Sequence, residues 1–264
     1  MKKIGFIGCG MMAEAIMGGM LQAGWLSENI WGSDPSTERQ AYMSKRYGIR
    51  MSGDNQAVFK ACEAIILSVK PQYFEYVLPD ILPLVSDQTR ILSIMAGIST
   101  DRIEKALGVK AHVVRIMPNT PALVGSGTAA ICGGTYADQA DIALARQIFA
   151  AVGSVVEVEE RLINAVSGVS GSGPAYVYVM IQALADGGVR MGLGRQLATQ
   201  LAAETVRGSA QMVLNSGEHP EALKDKVCSP GGTTIEAMYS LEKAGFRAAL
   251  MEAVQVSTEK ANRL

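Results

Sequence analysis

Six residues near the amino terminus, Gly8-Cys9-Gly10-Met11-Met12-Ala13, follow an apolar run at residues 4–7 directly and lead into a helical pattern over residues 12–23. A strand that must become a helix within so short a turn admits few folds. Gly8 allows the tight turn, Gly10 lets backbone approach a pyrophosphate, and Ala13 is small enough for the helix to pack on a sheet. The helix start then presents unpaired N–H groups and the positive end of its dipole to an anion. The spacing predicts the first βα unit of a dinucleotide-binding domain. The plainer reading is a strand-to-helix turn that needs glycine for its shape alone.

The pattern that follows repeats this unit. Strands are expected at residues 29–33, 64–69, 90–95 and 113–116, with helices at 35–47, 73–84 and 100–107. Two more strands, at 128–132 and 155–158, flank a helix at 137–151. Short apolar strands alternating with helices define a parallel sheet buried on both faces, a doubly wound α/β arrangement. Beyond about residue 160 the period becomes helical throughout. Residues 175–185 are apolar nearly all round and should be buried on every side. About 100 residues cannot hide such helices alone, so a second copy of the chain is expected to cover them. The division is therefore residues 1–160 for the dinucleotide and 161–264 for an all-helical dimerisation and substrate-binding domain.

Composition removes several classes of function. A formal net charge of −1 without blocks of like charge gives nucleic acid no electrostatic footprint. Cys9, Cys62, Cys132 and Cys228 form no C-x-x-C pair, which fits reduced thiols in a cytoplasmic protein. With His112 and His219 as the two histidines, a metal centre is not expected. The glycines and Glu14 interrupt the only run resembling a targeting peptide, and no apolar stretch has the length of a membrane span. Neither G-x-S-x-G nor a P-loop occurs.

Ligands of open α/β sheets lie outside the carboxyl ends of the strands, so chemistry is sought there. Asp34 ends the second strand at close to the roughly 20-residue spacing of a ribose-binding acid. It also reads as a helix N-cap followed by Pro35 at the first helical position. Ser68-Val69-Lys70-Pro71 ends a third strand, Met95-Ala96 a fourth, and Met117-Pro118-Asn119-Thr120-Pro121 a fifth. The two prolines stiffen the loop around Asn119, which suits a wall for a nicotinamide ring or an ordinary Pro-bounded turn. Lys70 either meets the cofactor or ends a strand in solvent.

Two stretches in the helical half are more specific. One is Ser167-Gly168-Val169-Ser170-Gly171-Ser172-Gly173-Pro174-Ala175-Tyr176, which suits close helix crossing better than chemistry. The other runs Leu223-Lys224-Asp225-Lys226-Val227-Cys228-Ser229-Pro230-Gly231-Gly232-Thr233-Thr234-Ile235-Glu236-Ala237. There a helix opens after a Pro-Gly-Gly turn, so several N–H groups point outward and can bind a carboxylate without an arginine.

With the glycine turn, Val69-Lys70-Pro71 and residues 117–121, these stretches resemble the pyrroline-5-carboxylate reductase family along essentially the whole chain, in order and in spacing. The resemblance implies a Rossmann-type sheet followed by interlocking dimerisation helices. It implies reduction of the C=N bond of 1-pyrroline-5-carboxylate to L-proline, the last step of proline biosynthesis, with NADPH or NADH. By position it puts cofactor contacts on Gly8, Cys9, Gly10, Met11, Met12, Ala13, Asn55, Ser68, Val69, Lys70, Pro71, Met95 and Ala96, with Lys226 a further one. Asp34 and Asn119 join them from the reading of strand ends. Substrate contacts fall on Glu160, Thr233 and Thr234, with Ser229, Gly231 and Gly232 shaping the loop. Thr234 is the expected catalytic residue, its hydroxyl hydrogen-bonding the ring nitrogen as hydride reaches the adjacent carbon. The competing readings are a related imine or β-hydroxyacid dehydrogenase, which generally needs a lysine-type acid–base group, and a cofactor-sensing protein without turnover.

Overall fold

Four residues, Ile4–Ile7 (β1), are buried without interruption, as the central strand of a sheet covered on both faces must be. In the computed structural model, which describes residues 2–263, β1 runs into α1 (Met11–Gln22). The chain returns through β2 (Ile30–Ser33), α2 (Thr37–Tyr47), β3 (Arg50–Ser52) and α3 (Asn55–Ala61). It continues through β4 (Ala64–Leu67), α4 (Phe74–Ile81), β5 (Arg90–Ser93), α5 (Thr100–Leu107) and β6 (His112–Met117). Then come β7 (Gly127–Gly133), α6 (Gln139–Ala150) and β8 (Gly153–Glu157). The eight strands lie in the order β3-β2-β1-β4-β5-β6-β7-β8. Every pairing is parallel except β6 with β7. The sheet reverses direction of winding beside β1, which places the switch-point crevice at the carboxyl ends of β1 and β4.

Two apolar layers flank the sheet. One contains Ile16, Met17 and Met20 of α1 with Ile148 and Phe149 of α6. The other contains Val58, Phe74, Ile81 and Ile103 from α3, α4 and α5. Strand β3 and helix α3 are additions to the expected plan. β3 is three residues long and opens on exposed Arg50, so it has no alternation to detect; its pairing with Trp31, Gly32 and Ser33 makes it a strand.

After α7 (Ile163–Val166) and a π-turn at Ser167–Gly171, the chain is helical: α8 (Gly173–Arg190), α9 (Arg195–Ser216), α10 (Pro220–Val227), α11 (Thr233–Lys243) and α12 (Phe246–Ala261). Compactness divides the chain into one unit ending at Ser172, which also takes in residues from Val256 onward, and a second unit, Gly173–Gln255. Residues 161–172, expected with the helical domain, thus belong to the sheet unit. Ile163 fixes them there by packing with Ala130 and Cys132.

Within the second unit, α8 and α9 meet through Ala185, Ala198 and Ala202, small residues that let the helices approach closely. The expectation that residues 175–185 are buried on all sides is not met within one chain. Tyr178, Val179 and Leu184 are 60%, 70% and 51% exposed. Among the described residues of this unit, no element covers that face.

Candidate active site

The glycine turn is built by contacts that leave no choice of residue at Gly8. Its φ is +89°, and a Cβ there would lie 2.8 Å from Val69 and 3.0 Å from the Ser68 carbonyl. The Ser68 hydroxyl donates back to the carbonyls of Gly8, at 2.6 Å, and Ile7, at 3.1 Å. Gly10 caps α1, and a Cβ added to it meets nothing within 4 Å. Its outer side faces open space, as the approach of a pyrophosphate requires. Ala13 is buried against the sheet, whereas Met11 is exposed.

Two side chains from the β2–α2 segment grip Cys9. The Asp34 carboxylate accepts the Cys9 N–H at 3.0 Å and, through its other oxygen, the Ser36 N–H at 3.0 Å. Arg39 donates from Nε to the Cys9 carbonyl at 2.5 Å. Its Nη2 reaches the Gly10 carbonyl at 3.3 Å and the Glu14 carboxylate at 2.6 Å. Asp34 is therefore not the cap of α2, and Pro35 does not open that helix. Ser36 is the cap, its hydroxyl accepting the Arg39 N–H, because the glycine turn has already drawn Asp34 toward it. Burial alone would raise the Glu14 pKa, but hydrogen bonds from Arg39, Tyr47 and Tyr42 hold it below the ordinary carboxylate value. Burial, aided by Asp34, pushes the Cys9 thiol up to about 12, so it stays neutral and is no nucleophile.

A cleft of about 630 Å³ opens outside these strand ends. Gly8, Cys9, Gly10, Asp34, Asn55, Ser68, Val69 and Lys70 all line it, which brings eight of the expected cofactor residues to one place. Tyr73, Tyr76, Val77 and Asp80 line it too and were not expected. Their sequence signal is slight, since two tyrosines on a short helical segment ordinarily read as a packing face. The Asn55 amide is fixed from both sides, accepting from the Ser33 hydroxyl at 2.6 Å and donating to Asp80 at 2.8 Å. Pro71 begins the 3₁₀ turn that leads into α4.

The other eight expected cofactor residues, Met11, Met12, Ala13, Pro71, Met95, Ala96, Asn119 and Lys226, lie outside the lining of this cleft. Met95 is buried, with its N–H on the Ser93 hydroxyl, and Ala96 follows it. The Asn119 amide is engaged by the Thr128 N–H at 2.8 Å and by the carbonyl and hydroxyl of Ser170, both at 3.2 Å. It ties the Pro-bounded loop to β7 and the π-turn. The Glu160 carboxylate, expected near substrate, accepts from the Thr100 N–H at 2.8 Å and hydroxyl at 2.5 Å and from Arg115 at 3.2 Å. It thereby satisfies the N-terminus of α5.

In the helical unit, Gly231 turns the chain at φ +66° and Gly232 caps α11, its N–H on the Ser229 carbonyl at 3.0 Å. A Cβ on Gly232 would collide with the Ser229 hydroxyl. No side chain caps α11, so the first-turn N–H groups, Thr233 and Thr234 among them, stay available to an anion. Lys226 is bound by both oxygens of Glu218, at 2.7 and 2.6 Å. Lys224 sits on Glu221 at 2.7 Å and Asp225 at 3.3 Å. Those hydrogen bonds, Glu221 first, raise its pKa and keep it a cation.

Among the described residues, His112, Asp138 and Asp141 could bring ligand atoms within 4.8 Å of one another. Their geometry serves other ends: Asp138 and Asp141 form the capping box of α6, and His112 and Arg90 pair with Asp141 at 2.6 and 2.7 Å.

A doubly wound sheet with a glycine-turn cleft at its switch point, joined to a helical unit with an apolar face left open, defines a dinucleotide-dependent oxidoreductase with a helical dimerisation domain. The comparisons agree part by part. Residues 160–264 match the pyrroline-5-carboxylate reductase dimerisation family, and residues 3–97 match the family of NADP oxidoreductases described as coenzyme F420-dependent. The pyrroline-5-carboxylate reductase of Synechocystis is 46% identical, covering 99% of this chain and 98% of its own. That of Escherichia coli is 44% identical over 100% and 98%. The crystal structure of the Plasmodium falciparum enzyme with NADP bound superposes with a TM-score of 0.90 at 34% identity, covering 99% of this chain and 97% of that one. The chain belongs to the pyrroline-5-carboxylate reductase family.

Proposed function

We propose that this chain reduces 1-pyrroline-5-carboxylate to L-proline with hydride from NADPH or NADH, the dinucleotide held on the glycine turn and the substrate at the start of α11. The observation that carries the substrate half of this reading is the uncapped N-terminus of α11 behind Gly231 and Gly232. Its N–H groups and dipole suit the substrate carboxylate, so no arginine is needed there. When bound, the nicotinamide supplies two electrons and a hydrogen to the imine carbon. The Thr234 hydroxyl then hydrogen-bonds the ring nitrogen as it gains its pair, and a cyclic imine protonated from water needs positioning more than a strong acid. Thr233 shares the substrate loop, and Ser229 holds Gly232 in place.

The cofactor half fits the residues present. Gly10 opens to free space, the unpaired N–H groups at the α1 N-terminus suit an anion, and Asp34 stands where the adenosine ribose is expected. Met95, Ala96 and Asn119 are assigned to the nicotinamide end and Lys226 to a peripheral contact. Residues 1–160 supply most of the cofactor binding, and the helices beyond Gly173 supply substrate binding and dimerisation. We place the protein in the cytoplasm as a dimer or assembly of dimers: its four thiols are free, no helix among the described residues is long and apolar enough to cross a membrane, and the apolar face of α8 calls for a second copy. The ion-paired state of Lys224 and Lys226 counts against a lysine-dependent β-hydroxyacid dehydrogenase.

Initial rates with 1-pyrroline-5-carboxylate, measured against NADH and NADPH in parallel, test the reading. Saturable oxidation of at least one cofactor is expected. Binding of dinucleotide without any turnover would make the chain a cofactor sensor instead.

A further inference from the structure

The helix end assigned to the cofactor's pyrophosphate carries a carboxylate of its own. Glu14 stands in the first turn of α1, its N–H on the Gly10 carbonyl at 3.0 Å. An anionic side chain there competes with a bound anion for the positive end of the dipole. Arg39 answers that charge directly at 2.6 Å, and both side chains are largely shielded, with 24% and 17% of their surface exposed. Tyr42 and Tyr47 add hydroxyl donors to the other Glu14 oxygen at 2.9 and 2.8 Å. The Arg39 guanidinium lies over the Tyr42 ring at 5.2 Å, which further fixes its place.

The same guanidinium also takes the carbonyls of Cys9 and Gly10. In a trans peptide the C=O and the following N–H point in opposite directions. Holding those two carbonyls toward α2 aims the Gly10 and Met11 N–H groups the other way. We propose that Arg39 is a positioning residue for the dinucleotide: it neutralises Glu14 and orients the glycine turn, so that the start of α1 stays electropositive toward the pyrophosphate. Its role is toward the part shared by NADH and NADPH, distinct from recognition of the 2′-phosphate. The inference rests on the assignment of this turn to the pyrophosphate.

Dissociation constants of the full-length protein for NADH and NADPH, from nicotinamide fluorescence titration, test it. Arg39→Met should weaken both cofactors by a similar factor, on the order of tenfold at low salt. Adding Glu14→Gln to that variant should restore most of the loss, which a purely structural arginine would not allow. Glu14→Gln alone keeps the shape of the side chain and should tighten both by about threefold. Loss confined to NADPH would make Arg39 a 2′-phosphate ligand and overturn the inference. So would a double variant no better than Arg39→Met, or unchanged or weaker binding in Glu14→Gln alone. Unaltered protein that binds neither dinucleotide overturns the assignment of the turn, and the inference with it.

Discussion

The carboxylate of Asp34, at the end of β2, accepts the backbone N–H of Cys9 in the glycine turn at 3.0 Å. One side chain thus braces the turn and stands where an adenosine ribose is expected, so charge and architecture are altered together when it is replaced. A carboxylate there can accept ribose hydroxyls but repels a 2′-phosphate, by roughly 1–2 kcal/mol in a partly exposed site. Ser33 cannot compensate, because its hydroxyl is buried on Asn55. Asp34→Ser is expected to raise kcat/KM for NADPH relative to NADH while lowering both absolute values, since the turn loses its brace. Parallel kinetics with the two cofactors check this; a ratio that stays put or falls would confine Asp34 to the turn.

Thr234 is half-buried in the first turn of α11, where the proposed contact to the ring nitrogen strengthens during hydride transfer. Thr234→Val is expected to lower kcat by about 2–4 kcal/mol of barrier, by analogy with removal of an oxyanion-hole donor. Cofactor affinity should not change. An effect on KM alone would reduce Thr234 to a binding residue.

The exposed face of α8 leads to a prediction about assembly. Tyr178 and Val179 are adjacent, apolar and 60% and 70% exposed in one chain. Val179→Asp is expected to leave the sheet unit folded but to abolish the dimer in sedimentation at micromolar concentration, with activity lost alongside. An active, stable monomer of the unaltered protein would refute the architecture.

Asp141 sets a pH dependence of stability. Burial would raise its pKa, but the Asp138 N–H, His112 and Arg90 together hold the carboxyl below its ordinary value. A depressed carboxylate stabilises the fold above its unfolded pKa of about 4, and the contribution is lost as pH falls through the lower folded value. Asp141→Asn should therefore cost about 2 kcal/mol at pH 7, since it leaves Arg90 and His112 short of a buried partner. Melting temperatures measured from pH 7 down to pH 2 should show the gap to the unaltered protein closing in acid. A constant gap would mean that the lost capping hydrogen bonds, not the charge, carry the effect.

Much of this was legible in the chain itself, for a local reason. The helix Thr100–Leu107 and the start of α11 depend on residues within a few positions of one another, and the glycine turn, though distant residues brace it, announces itself by its own glycine spacing. The motifs likewise sufficed for the family, because their order and spacing survive without any coordinates. What escaped was set by pairing across the fold. β3 is a strand only because β2 offers it partners. Asp34 left the cap of α2 for an N–H 25 positions away. Tyr73, Tyr76 and Asp80 line the cleft at the strand ends because the segment after β4 packs back against the sheet, and Asn119 is consumed by Ser170, far along the chain. Local sequence determines which conformations a segment favours; which donor meets which acceptor across 25 or 51 positions is decided only when burial forces each polar group to find a partner.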